Sequence, residues 1–188
     1  MSQVQGLLPG DVVLTRSKGW VGWIIRLGAA LLDRPNIRNH VIVVHHRDDA
    51  GTLWGIEGKP GGVGWVDMTT VLRHRLTSDN RNQPKDTRQR ATICAAVEAA
   101  IQRPYDWGAI AHAAAESLRL DELWWRVEFR EDDTIPAGVI CSALADWAYE
   151  RTGLASPGGT GRTRYTTPAD WDHFIQSRDW ELTDAGTA

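Results

Sequence analysis

The run Val41-Ile-Val-Val44 constrains the fold more than any other part of this 188-residue chain. Its apolar side chains occupy both parities, Val41 and Val43 on one side and Ile42 and Val44 on the other. A half-solvated strand alternates, whereas a strand apolar on both faces lies inside a sheet that is covered above and below. The stretch His40 to His46 is therefore expected at the centre of a sheet, with layers packed on each face.

Other segments supply those layers. Asp11-Val-Val-Leu-Thr15 follows the turn pair Pro9-Gly10 and reads as a first strand. From Lys18 to Asp33 the apolar residues recur at helical spacing until Pro35 bars continuation; the stripe of this helix, which begins Trp20-Val-Gly-Trp23, is expected to pack on the sheet. Thr52 to Gly58 and Gly62 to Met68 flank the turn Lys59-Pro-Gly-Gly62 and read as a hairpin or two adjacent strands. Ser78 to Lys85 is polar and reads as a surface connection. Helices are expected over Thr87 to Arg103, Trp107 to Leu120 and Cys141 to Thr152, with a last short one from Pro168 to Ile175. Ser156 to Gly161 is a loop, and no internal repeat is present.

Composition narrows the function. A hydrophobic content of 42% in 188 residues is enough for one domain whose folding removes about 70% of the unfolded chain's surface from water. Basic and acidic residues number 21 and 24, a net charge of -3, without a basic stripe for phosphates, so nucleic acid is not an expected partner. The two cysteines make no disulfide framework, and Cys94, in the middle of a helical pattern, reads as core. The start Met-Ser-Gln-Val-Gln-Gly lacks the form of a signal peptide, and the most apolar stretch, Trp20 to Leu32, is too short for a bilayer span. The expectation is a soluble protein without a transmembrane segment, cytoplasmic or virion-associated.

Cys141 carries the chemistry. It stands at the start of a helical segment, where unpaired backbone N–H groups and partial positive charge stabilise a thiolate and lower its pKa from about 8.5. The N–H groups of Cys141 and Ser142 are also candidates to face a tetrahedral oxyanion, which makes Ser142 a substrate-binding candidate. His40, at the end of the central strand, is the expected general base. Glu57 is the expected orienter of its ring, because a charge inside the strand-like Leu53-Trp-Gly-Ile-Glu57 needs a partner when buried. His46, on the parity of His40, and Asp67, on the next strand, are the competing orienters.

The order of Gly10-Asp-Val-Val-Leu14, an amphipathic helix, Asn39-His-Val-Ile-Val-Val44, a strand bearing Glu57, Pro104-Tyr-Asp-Trp107 and Ile140-Cys-Ser-Ala-Leu-Ala-Asp-Trp-Ala-Tyr149 resembles the circularly permuted branch of the NlpC/P60 superfamily. That branch holds YiiX-like and lecithin:retinol acyltransferase-like proteins. The resemblance runs from about Leu8 to Pro168. It implies an α+β, permuted papain-like fold with a central antiparallel sheet packed against helices, filling residues 1–188 as a single domain. It also implies a Cys141-His40-Glu57 site that forms a thioester, without cofactor or metal. Tyr105, in a segment similar to the Pro-Tyr-x-Trp sequence of unpermuted members, is implied to line the site. Asn39 stands where serine is usual, and the insert from Glu116 to Pro136, with Trp124 and Trp125, has no counterpart.

The expected substrate is a peptide-like amide, cell-wall peptidoglycan above all. A lipid acyl hydrolase or acyltransferase and a non-catalytic module of a virion or other protein assembly are the alternatives. Adjacent His45 and His46 are expected on opposite strand faces, which argues against a zinc site shared with His40. An unpermuted arrangement would need His173, the one histidine after Cys141.

Overall fold

The computed structural model describes residues 6–16, 38–74, 77–108, 140–159 and 166–178. In chain order the elements are β1 (Val12–Thr15), β2 (His40–Arg47), β3 (Leu53–Lys59), β4 (Gly62–Asp67), α1 (Met68–His74), β5 (Thr77–Asp79), α2 (Thr87–Ala99), α3 (Cys141–Glu150) and α4 (Pro168–Gln176). The expected helices over 18–33 and 107–120, and the insert 116–136 with Trp124 and Trp125, lie outside the described residues apart from Trp107 and Gly108.

The strands form one open sheet in the order β4-β3-β2-β1-β5, antiparallel throughout, so the protein is α+β with β2 at the centre. The two parities of β2 bury separate cores. Val41 and Val43 join Val12, Leu14 and Ile56 under α2, α3 and α4, which contribute Ile93, Val97, Leu144, Ala148, Trp171 and Ile175. Ile42 and Val44 join Val13 and Leu53 against Leu7 and the α1 residues Met68, Val71 and Leu72. Burying each such aliphatic or aromatic side chain contributes about 1.5–3 kcal/mol, which pins the register, since a one-residue slip would exchange the two cores.

Local signals explain most helix limits. Asp86 caps α2 through a reciprocal pair with Gln89, its side chain accepting from the Gln89 N–H at 2.7 Å. Thr167 and Asp170 make the same box at α4, with Pro168 in the first turn. Helix α2 ends at Ala99, short of the expected Arg103, because Gln102 turns to φ 70° and the chain leaves to pair with β4. Val63 N–H donates to Arg103 O at 2.9 Å and Gln102 N–H to Val63 O at 3.0 Å. Gly62, at φ +105°, lets this segment pass: a Cβ there would sit 2.8 Å from Arg103 O.

Two readings need correction. Ser78 and Asp79 are buried on the edge strand β5 rather than exposed in a connection, because Asp79 is paired with Arg81 at 2.8 Å and its charge is matched on folding. The expected strand through Met68 ends at Asp67, whose carboxylate accepts from the N–H groups of Thr69 and Thr70 and starts α1.

The far end of α3 rests on a buried polar network. Tyr149 donates to Gly10 O at 2.6 Å and accepts from Asn80 Nδ2 at 2.8 Å. Asn80 in turn accepts from Val12 N–H. Beside them the fully buried Lys85 Nζ lies 3.0 Å from Asp11 Oδ1, which Arg90 also reaches at 2.9 Å. Lys85 further donates to the carbonyls of Asn80 and Gln83.

Candidate active site

Cys141 is the first residue of α3 and is nearly covered, at 3% exposure. No side chain caps this helix; its N-cap is Ile140, in extended conformation. The first-turn N–H groups are therefore available to other acceptors, and that of Ser142 bonds the Cys141 sulfur. A second donor comes from the sheet. The β2–β3 pairing stops at Ile42 and Glu57, one residue short of Val41 and Gly58, and the Val41 N–H also bonds the sulfur. Gly58 makes room for this approach: a Cβ on it would lie 3.1 Å from Cys141 N and 3.3 Å from Cys141 Cα. Strand β3 thus has a gap in its side-chain row where the helix start docks.

His40 begins β2 and bonds Cys141 on one side and Glu57 on the other. Its Nε2 is 2.7 Å from Glu57 Oε2, which leaves Nδ1 for the thiol. Glu57, buried on β3, accepts at its second oxygen from Lys59 Nζ at 3.2 Å. The structure brings Cys141, His40 and Glu57 together from α3, β2 and β3, as the sequence reading grouped them. Asp67 instead caps α1, and His46 lies with His45 and Trp65 toward the other end of β2.

Electrostatics favour an ion pair. Burial pushes the Cys141 thiol up, but the His40 charge and hydrogen bond, with the two backbone N–H groups, outweigh it and hold the thiol below its ordinary value. Burial likewise pushes His40 down, yet Cys141 and Glu57 together raise it from 6.5 to about 10. Glu57, pushed up by burial, is brought below the usual carboxylate range by His40 and Lys59. These shifts all run in one direction, favouring the charged forms of thiol, imidazole and carboxylate together. Cys94 is the contrast: buried in α2, near the carbonyls of Val44 and His45, its thiol is pushed up to about 11.

Tyr105 packs with Ile140 and Ala143 beside the thiol. Burial, then the Cys141 charge, drives its phenol well above the ordinary value, so it stays neutral. Its ring meets exposed Trp107 edge-on at 5.1 Å. Ser142 takes a different part from its neighbour: its hydroxyl donates to Thr166 O at 2.6 Å, and only its backbone N–H faces the sulfur. One turn on, buried Asp146 accepts from Thr166 Oγ1 at 2.6 Å and from Gly158 N–H. Ser142 and Asp146 therefore clamp Thr166 along one side of α3, and Trp171 Nε1 bonds Ser142 O from α4. His173 is exposed on α4.

The sequence reading missed Gly58, the Val41 N–H and Lys59. Lys59 had a signal, since it shares the strand parity of Glu57, but its Pro-Gly-Gly sequel marked it as turn. His45 and His46 also differ from expectation. A register shift between Val44 and His46 breaks the alternation, and their Nδ1 atoms approach to 3.0 Å instead of pointing apart. Among the described residues, no group of three or more His, Cys, Asp or Glu side chains is arranged to hold a metal ion. No helix among them is long and apolar enough to cross a membrane.

No family model matches the chain, and no curated protein is significantly similar to it in sequence.

Proposed function

We propose that this protein is a cysteine hydrolase of amide bonds, acting on a peptidoglycan peptide or a related peptide-like amide, and that its fold is a permuted papain-like one of the NlpC/P60 kind. The observation that carries this reading is the line of contacts from Cys141 at a helix start through His40 to Glu57, with 2.7 Å between His40 Nε2 and Glu57 Oε2. A buried ion pair is a poor stabilising device, because desolvation offsets most of its attraction, so a thiolate and an imidazolium held together favour chemistry over architecture.

In the proposed reaction the Cys141 thiolate adds to the amide carbonyl carbon, forming a C–S bond and a tetrahedral oxyanion. His40 gives its proton to the amide nitrogen as the C–N bond breaks, leaving a thioester and a free amine. Neutral His40 then takes a proton from water as the hydroxide adds to the thioester. The C–S bond breaks, the acid is released, and thiolate and imidazolium are restored. Glu57 holds the ring and its charge throughout.

The test is alkylation of Cys141 by iodoacetamide across about pH 5–8, together with turnover of cell-wall peptide fragments and acyl esters by the native chain and by Cys141→Ala. Fast alkylation at the acid end, and amide turnover that the variant loses, support the proposal. Turnover of esters alone moves the same chemistry to acyl lipids. Unperturbed alkylation with no turnover refutes it.

A further inference from the structure

In the ion-pair state of the proposed site the charges alternate from the interior outward, from Cys141 through His40 and Glu57 to Lys59. The first three leave one uncompensated negative charge inside the protein, and the fourth cancels it. Lys59 is two residues beyond Glu57 on β3, so the strand repeat puts both on one face, while Gly58 between them meets Cys141 on the other. Its Nζ bonds Oε1, the oxygen His40 leaves unused, at 3.2 Å. The Glu57 side chain is 9% exposed and that of Lys59 is 48%, so this pair reaches from the buried site to solvent.

We propose that Lys59 is a positioning residue of this site: by holding the second oxygen of Glu57 it keeps the carboxylate ionised and aimed at His40, and so sets how far toward acid the reactive thiolate persists. The inference rests on the Cys141-His40-Glu57 reading above. Lys59 acts through Glu57 and needs no contact with substrate. Among the described residues, the titratable group that acts on Glu57 besides Lys59 is His40 from β2, which in turn faces Cys141 from α3, the thiol that Tyr105 packs beside. Tyr105 stays neutral, and the salt bridges among the described residues give Glu57 no cation besides His40 and Lys59.

The sign follows from the charge. Removing a cation from beside a carboxylate raises the carboxylate's pKa. Glu57 then takes up a proton at higher pH, the imidazolium loses its partner, and the thiolate is lost earlier on acidification. The experiment follows iodoacetamide alkylation of Cys141, read by peptide mass, from about pH 4 to about pH 9 in the native chain, Lys59→Met and Lys59→Arg. The acid midpoint is expected to rise by about 0.5–1 pH unit in Lys59→Met and to stay near native in Lys59→Arg, which restores the cation. Should Lys59→Met not fold, Lys59→Gln serves the same comparison.

Superposable native and charge-removed profiles overturn the proposal, including the case in which only thermal stability falls, since that is the signature of a purely structural salt bridge. A native thiol that alkylates like a free one defeats the underlying site reading and this inference with it. That failure is visible in the native chain alone.

Discussion

At its first residue α3 carries a thiol whose hydrogen-bonding partners, His40 and two backbone N–H groups, converge on a single reactive atom. Eight residues later, about 12 Å along the axis, Tyr149 stands beside Lys85, Asp11 and Asn80, in a network of comparable polarity and deeper burial. The difference lies in what each group's bonds leave open. Lys85 donates to Asp11, Asn80 and Gln83, and Asp11 accepts from Lys85, Arg90 and Leu8 N–H, so that network is closed on itself. At Cys141 the sulfur is paired with His40 and two backbone N–H groups but forms no covalent bond, so in the proposed reaction it is free to attack. Buried charge alone does not mark a functional site; buried charge with unused reactivity does.

The two ends of α3 differ most at Cys141. Cys141→Ala is expected to cut turnover by at least about 10⁴-fold while shifting unfolding free energy by no more than about 1 kcal/mol, measured by steady-state rates and denaturant melts. The reverse pattern is expected at the other end. Lys85→Met leaves the Asp11 carboxylate short of a buried partner and should cost about 3 kcal/mol of unfolding free energy in a urea melt, with the alkylation profile of Cys141 unmoved. If that profile moves with it, the two ends are not independent.

Gly58→Ala sharpens the geometry of the first end. Its methyl would meet Cys141 N at 3.1 Å, displacing the helix start, and a drop of about 10- to 100-fold in turnover is expected with a smaller loss of stability. The pH dependence has a defined sign. With His40 raised from 6.5 to about 10, its share of stability is complete below 6.5 and is lost as pH rises toward about 10. The thiol, held below 9.0, contributes above 9.0 and loses its share as pH falls through its folded value. Turnover should accordingly fall above about pH 10, where the leaving amine finds no proton, and a pH–rate profile reads this directly. The smallest effect is expected from Thr166→Val, which removes a donor from buried Asp146 and should cost about 1–2 kcal/mol in a denaturant melt.

Much of this was readable before folding. The double parity of Val41 to Val44 located the sheet centre, and a carboxylate stranded in an apolar strand pointed to Glu57. What stayed hidden depends on phase and on partners. The paired histidines follow from a register shift that no alternation rule anticipates. Strand β5 looked polar because Arg81, which matches Asp79, was invisible as its partner. Lys59 was masked by the turn residues that follow it, and the Val41 N–H by the fact that backbone donors carry no signature in side-chain sequence.

Helix α3 is also a shaft with a fitting at each tip, and that limits how the chain can change length. Inserting or deleting one residue between Cys141 and Tyr149 would rotate one fitting by about 100° against the other, like a crank slipped on its axle. Either the thiol or the tyrosine anchor would then miss its socket. The nine residues from Cys141 to Tyr149 therefore cannot accept an insertion, even where every side chain is preserved.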